Sequence, residues 1–322
     1  MPRERETRMK VGIIGVGNVG TACAKAMLLR GSCLEIVLLD TDEARANGVA
    51  ADLSHGESLC PPTKILAGGY RDLTRAAVVV ITAGINERTG KAIDRDDNLG
   101  RLRLLPHNAA IYSKIVPRIA RVAPRALILV VTDPPDPLAD VARRFTKSPV
   151  LSSGTFLDTL RFRLQLATEL GCHPSSVDAL VVGEHGTSQV YVWSSATIGG
   201  EPVLELARRK GLNVASFRAK VEQEVKYANI KIIEGTGASQ HGIGIVTARI
   251  VEAILRDEGL VAPIGVLQPE YGVTLSLPAV IGRGGVSKVL APALSGKERR
   301  ALAASAKAIA GALDGLADEL RP

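Results

Sequence analysis

The chain has 322 residues, 46% of them hydrophobic, which is enough to build two domains with proper cores. No apolar run approaches the ~20 residues that cross a bilayer, and the charged start, Met1 to Arg8, lacks the apolar stretch of a secretory signal, so no membrane partner is expected and a cytoplasmic location is. The formal charge of +7 is spread along the chain and aromatics make up only 3%, which argues against nucleic acid and for a basic surface that attracts small anions.

The first informative stretch runs from Lys10 to Asp40. Val11 to Ile14 reads as a buried strand, Gly15, Gly17 and Gly20 follow in G-x-G-x-x-G spacing around Asn18 and Val19, and Thr21 to Arg30 reads as a helix. The first glycine permits a tight turn, the second lets a phosphate reach the backbone, and the third lets helix pack on strand. Unpaired N–H groups at the helix start suit a pyrophosphate. A second strand, Ile36 to Leu39, ends in Asp40, twenty residues after Gly20. A carboxylate there accepts from a ribose 2′-OH and repels a 2′-phosphate, so the expected cofactor is NAD rather than NADP.

Ala46, Val49, Ala50 and Leu53 mark a helix, with His55 beside its closing Gly56 as a capping or interface residue. Strands follow at Lys64 to Ala67 and at Ala77 to Thr82, the second ending in Ala83-Gly84, where the chain must turn over the cofactor. Residues 85–100 form a polar, charge-rich loop, and Leu105, Ala109, Tyr112, Val116 and Ile119 then mark a long helix. Ala126 to Val131 is a buried strand, Asp136 is expected to cap a helix through Phe145, and Val150-Leu151 closes the first half. Strands alternating with helices predict a doubly wound parallel sheet.

Beyond a boundary near residue 152 the pattern becomes α+β. Leu157, Leu160, Leu164 and Ala167 form a helical stripe that sets Asp158 and Arg161 on one face. Strand-like runs Val177 to Val182 and Gln189 to Trp193 flank Gly183-Glu184-His185-Gly186. Helices are expected near 214–228 and 238–256, and a hairpin joins Ile264–Leu267 to Val273–Leu277 through Pro269-Glu270-Tyr271-Gly272. A last helix opens on the capping-box pattern Ser295-Gly296-Lys297-Glu298 and carries Ile309, Leu313, Leu316 and Leu320. The expected class is α/β: a Rossmann domain over residues 1–151, carrying the loop 85–100, and an α+β substrate domain over 152–322. Cys23, Cys33, Cys60 and Cys172 lack disulfide or metal-ligand spacing, so reduced thiols and no metal are expected.

Hydride transfer between NAD and an alcohol carbon needs a base titrating near neutrality, a carboxylate to orient it, and a guanidinium to clamp a substrate carboxylate. His185, Asp158 and Arg161 could supply these; taken singly, they also read as a structural histidine and a simple ion pair.

Gly15 to Gly20, Asp40, Thr82-Ala83-Gly84, Leu157-Asp158-x-x-Arg161-Phe162-Arg163 and Gly183-Glu184-His185-Gly186 together resemble the lactate/malate dehydrogenase family, over nearly the whole chain and in the right order. The last two motifs are closer to its lactate dehydrogenase-like branch than to the dimeric malate dehydrogenases. The resemblance implies an NAD-dependent L-2-hydroxy acid dehydrogenase in which His185 exchanges the proton, Asp158 partners it, and Arg161 clamps the substrate carboxylate. It also implies a homo-oligomer, dimer or tetramer, and an arginine that polarises the substrate carbonyl. Arg95 and Arg101 compete for that role, and Arg101 is chosen because Asn108 and Pro117 follow at the family's spacing.

Two departures stand out. Sixteen residues separate Gly84 from Arg101, about twice the family's usual gap, which suggests a larger or unusual substrate. The specificity position, counted from Gly84, is Glu87, which would repel a second carboxylate; Arg88 adjoins it, and Lys91 or Arg95 could swing in. Asp133 stands where the family has an asparagine that contacts the substrate oxygen; an ionised aspartate can only accept, as from the substrate hydroxyl, while burial beside anionic ligands would protonate it, and a third reading is lost or altered activity. Ser239 matches a threonine that faces the substrate. Asp178 stands where fructose bisphosphate-activated members have a histidine opposite the residue matched by Arg163, so that regulation is not expected. A lactate-like substrate is favoured; malate, or an NAD-binding homologue without activity, are the alternatives.

Overall fold

The computed structural model describes residues 9–97, 99–318 and 320; the charged Met1 to Arg8 start lies outside them. Lys10–Ile14 (β1) pairs in parallel with Glu35–Leu39 (β2) on one side and Val78–Ile81 (β4) on the other. β2 continues to Lys64–Ala67 (β3), while β4 leads to Leu127–Val130 (β5) and then Val150–Ser152 (β6), all parallel. Apart from β3 at the sheet edge, these strands are short apolar runs buried almost throughout, because Asn18–Arg30 (α1), Glu43–Ser54 (α2), Leu105–Val122 (α3) and Pro135–Arg144 (α4) cross over between them. The chain reverses its direction of travel across the sheet between β1 and β4. That switch point opens a crevice at the carboxyl ends of the strands.

The second half starts with Phe156–Leu170 (α5). The expected runs at 177–182 and 189–193 are instead two-residue pieces, Val177–Asp178 (β7), Val181–Val182 (β8) and Val190–Tyr191 (β9). The chain changes partner between them: β8 pairs with β9, whereas β7 pairs with Thr197–Ile198 (β10), itself paired with Glu201–Pro202 (β11). Val203–Arg209 (α6), Val214–Lys226 (α7), Ala228–Thr236 (α8) and His241–Arg256 (α9) follow. Neither α6 nor α8 is signalled by the periodicity, because each is short and α8 follows a break at Tyr227.

Leu260–Gln268 (β12), Val273–Gly282 (β13) and Gly285–Val289 (β14) form an antiparallel meander longer than the expected hairpin. β12 pairs with β6 at Gly265 opposite Ser152, so one nine-stranded sheet runs across the sequence boundary near residue 152. A Cβ on Gly265 would overlap the Ser152 and Asp136 side chains, which leaves glycine as the residue that lets the halves join. Gly296–Asp314 (α10) begins in the expected capping box: Ser295 N–H donates to Glu298 at 2.7 Å, and Glu298 N–H donates to Ser295 Oγ at 3.3 Å.

Candidate active site

The glycine turn behaves as its spacing implies. Gly15 takes φ +94°, a conformation L side chains rarely adopt, and a Cβ on Gly20 would overlap the Gly15 carbonyl oxygen. Gly17 faces open space, so a ligand can reach its backbone. It also caps α1, which starts three residues earlier than the sequence pattern suggested and has no side-chain cap on its first N–H groups. Those free donors suit a pyrophosphate. Thr82 Oγ1 donates to Gly15 O at 2.6 Å and pins β4 to the turn. Asp40, at the end of β2, accepts from Val16 N at 2.6 Å and Asp42 N at 3.0 Å.

The crevice has two lobes that share Gly17, Thr82 and Gly84. One is walled by Asp40, Ala83, Tyr70 and Arg118 and suits the adenosine end of a dinucleotide. The other runs past Asn18, Val19 and Asp133 to Arg161 and His185. These residues fit NAD, which would supply the hydride acceptor at the inner end.

At that inner end the chain gathers groups from four places. His185 sits in the turn between β8 and β9, Asp158 and Arg161 lie in the first turns of α5, Arg101 in the short turn Gly100–Leu104 before α3, and Asp133 just past β5. Asp158, 2% exposed, accepts from His185 Nδ1 and from Arg161 Nη1, the latter at 3.1 Å. A carboxylate only accepts, so the imidazole proton lies on Nδ1 and Nε2 turns its lone pair toward the cleft. Arg101 Nη1 donates to that Nε2, and its Nε lies 3.6 Å from Asp133. Burial alone would raise the Asp158 carboxyl, but His185, Arg161 and Arg101 outweigh it and hold it well below the ordinary carboxylate range.

Ser239 accepts from Arg161 Nη2 at 3.4 Å, which leaves the guanidinium edge on the cleft. Glu87 and Arg88 line the same cleft. Lys91 is exposed and does not line it, and Arg95 turns outward to pair with Glu234 on α8 at 2.8 Å. Of the two competing arginines, only Arg101 meets His185. Arg163 donates to Ala179 O at 2.9 Å and lies 3.4 Å from Asp178.

Asp136 corrects the sequence reading. The helix runs Pro135–Arg144 with Pro134 at its cap, and Asp136 points inward from the first turn, fully buried. It accepts from Ser152 Oγ at 2.5 Å and from the His185 backbone N–H at 2.8 Å, so it braces the histidine from behind. The sequence pattern placed the helix start at Asp136 and carried no signal of an inward carboxylate. Asn108, which served only to fix spacing, staples the site: it accepts from Ile85 N at 2.8 Å and donates to Asp133 O at 2.7 Å.

Residues 9–151 match the model of the lactate/malate dehydrogenase NAD binding domain, and residues 155–319 match that of the lactate/malate dehydrogenase alpha/beta C-terminal domain. The chain belongs to the lactate/malate dehydrogenase family. It is 43% identical to an L-lactate dehydrogenase of Deinococcus radiodurans over 94% of this chain and 98% of that one. It is 42% identical to an L-lactate dehydrogenase of Thermus aquaticus, over 96% and 99% of the two chains. Among solved structures, the minor L-lactate dehydrogenase of Enterococcus mundtii in its ligands-bound form superposes with a TM-score of 0.87 at 31% identity, covering 96% of this chain and 98% of that one. As a member of the family the chain is an NAD-dependent oxidoreductase with a Rossmann-like half and an alpha/beta C-terminal half.

Proposed function

We propose that the protein is an NAD-dependent L-2-hydroxy acid dehydrogenase acting on a lactate-like monocarboxylate. The observation that carries this is the His185 Nε2 lone pair facing the cleft, with Asp158 behind it and two guanidiniums beside it. In oxidation, Nε2 takes the hydroxyl proton while Asp158 stabilises the imidazolium; in reduction the same atom returns it. Arg101 polarises the 2-oxo oxygen, and Arg161 holds the substrate carboxylate with Ser239 beside it. Asp133 accepts from the substrate hydroxyl. Glu87, with Arg88 at the rim, stands beside the substrate side chain and disfavours a second carboxylate, which places a lactate-like substrate ahead of malate. Gly15, Gly17, Asn18, Val19, Gly20, Asp40, Thr82, Ala83 and Gly84 hold the cofactor.

We assign residues 1–151 to the cofactor domain and 152–322 to the substrate domain. Exposed Leu160 and Leu164 on α5 and Ile245 on α9 support a homo-oligomer, which light scattering would measure. A cytoplasmic location agrees with four unpaired cysteines and with the absence, among the described residues, of a helix long and apolar enough to cross a membrane.

The test is NADH oxidation with pyruvate, oxaloacetate and larger 2-oxo acids side by side. Turnover with pyruvate ahead of oxaloacetate at neutral pH is expected. Silence across the panel with NADH still bound would leave an NAD-binding protein without activity.

A further inference from the structure

The last helix reaches the His185 turn through one buried hydroxyl. Glu298, Leu302, Ser305 and Ile309 recur at i, i+4, i+7 and i+11 on α10 and share its inward face, where all four are buried. Two of the four are polar, and both bond to the β8–β9 unit that bears the histidine. Glu298 accepts from Ser194, just past β9, through its backbone N–H at 3.0 Å and its Oγ at 2.5 Å. Two helical turns on, Ser305 Oγ accepts from the Glu184 backbone N–H at 2.8 Å and lies 3.0 Å from Ser188 Oγ. Ser188 Oγ donates to Glu184 Oε2, which also takes the Ser188 backbone N–H at 3.1 Å. The other carboxylate oxygen of Glu184 is buried with no partner among the described residues, so this one contact anchors the side chain.

Each hydroxyl carries one proton, so the directions follow. Ser188 gives its proton to Glu184, which makes Ser305 the donor to Ser188 and the acceptor of the Glu184 N–H. The bonds close a ring that starts and ends on Glu184, the residue before His185. Gly183 completes the fit, since it takes φ +87° and a Cβ there would come within 2.7 Å of Ser305 Oγ. The next backbone N–H, that of His185, goes to Asp136 at 2.8 Å. Two successive N–H groups are therefore gripped by two different helices, α10 and α4. We infer that Ser305 is a positioning residue for the proton transfer: it fixes the backbone entering His185, so that Nδ1 meets Asp158 and Nε2 meets the substrate together. This rests on the dehydrogenase reading. Without the hydroxyl, the Glu184 N–H loses its acceptor, Ser188 loses its donor and the turn is free to shift. A displacement of about 1 Å at a reacting group costs on the order of a hundredfold in rate.

The experiment is the single-turnover rate of NADH oxidation, with enzyme in excess over NADH and pyruvate saturating, which reads the chemical step apart from product release. In Ser305→Ala this rate should fall by roughly tenfold to a hundredfold. The steady-state KM for pyruvate and the NADH affinity should each change by less than about twofold. Ser305→Cys, whose thiol is a weaker donor and acceptor, should fall between the two. Ile309→Val, one turn further along the same face, loosens the helix without touching the ring, so its Tm should drop by a few degrees while the rate stays at the wild-type value. A wild-type rate in Ser305→Ala, an equal loss in Ile309→Val, or a loss carried by KM or NADH affinity would each overturn the inference, while wild-type pyruvate turnover upholds the dehydrogenase reading. Should Ser305→Ala not fold, Ser305→Cys decides by the same criteria. No pyruvate turnover by the wild type would overturn both.

Discussion

Asp158 holds the Nδ1 edge of His185 from the first turn of α5, although 27 residues separate the two in the chain. Nothing in local structure brings them together; α5 packs against β8, and β8 delivers the turn that carries the histidine. The first prediction follows from this contact. Asp158→Asn keeps the shape but lets an amide donate to Nδ1, which shifts the ring proton to Nε2 and removes the base. A fall in kcat of about 10³-fold or more is expected, with NADH affinity unchanged in a fluorescence titration. An unaltered kcat would reduce the pair to a structural ion pair.

Arg161→Lys tests the clamp. Lysine preserves the charge beside Asp158 and so the fold around α5, but it cannot present two parallel N–H groups to a carboxylate. Loss of the bidentate contact should cost roughly 2–3 kcal/mol, or about 30- to 150-fold in kcat/KM for pyruvate, mostly in KM. A change confined to kcat would show that Arg161 acts on the reacting oxygen instead.

Asp40 has two tasks, and one substitution separates them. It faces the crevice at the end of β2, and it also holds the Val16 N–H at 2.6 Å. Asp40→Ser removes the negative charge that rejects a 2′-phosphate while leaving an oxygen near the turn. Discrimination against NADPH should relax by about tenfold or more, with a stability loss of about 1 kcal/mol. Unchanged NADPH rejection would place the determinant elsewhere, with Arg45 the neighbour to examine.

The first half was legible from sequence because each strand is a continuous apolar run and each turn carries its own chemistry. Gly15 and Gly20 do what their spacing implies, and Asp40 falls at the end of β2 where the spacing puts it, since the constraint at each is local. Boundaries were missed where tertiary packing decides them, as at β7 and β8, which split because the chain changes partner sheet. The cluster of His185, Asp158 and Arg161 is written in two motifs, but Arg101 was separable from Arg95 only through the register of the helix that follows. Asp136 was misread for a different reason. A carboxylate at the first turn of a helix looks like a cap, and only the fold shows that β6 and the His185 turn close over it.

Asp136 also gives the chain a built-in pH dependence. Burial pushes its carboxyl up to about 7, against the opposing hydrogen bonds from Ser152 and the His185 N–H. In the unfolded chain an aspartate titrates near 3.9. The folded value is the higher one, so the native state holds the proton more tightly. The associated stability is complete below about pH 4 and is lost as pH rises through about 7. Over that window the unfolding free energy of the wild type should fall, relative to Asp136→Asn, by about 4 kcal/mol at most. In the variant the amide oxygen still accepts from the His185 N–H and the amide NH2 faces Ser152 Oγ, and nothing titrates at that position. Urea unfolding of both proteins at pH 5, 6, 7 and 8 measures the difference. Parallel curves would mean that Asp136 stays ionised throughout and that Ser152 and the His185 N–H stabilise the charge fully.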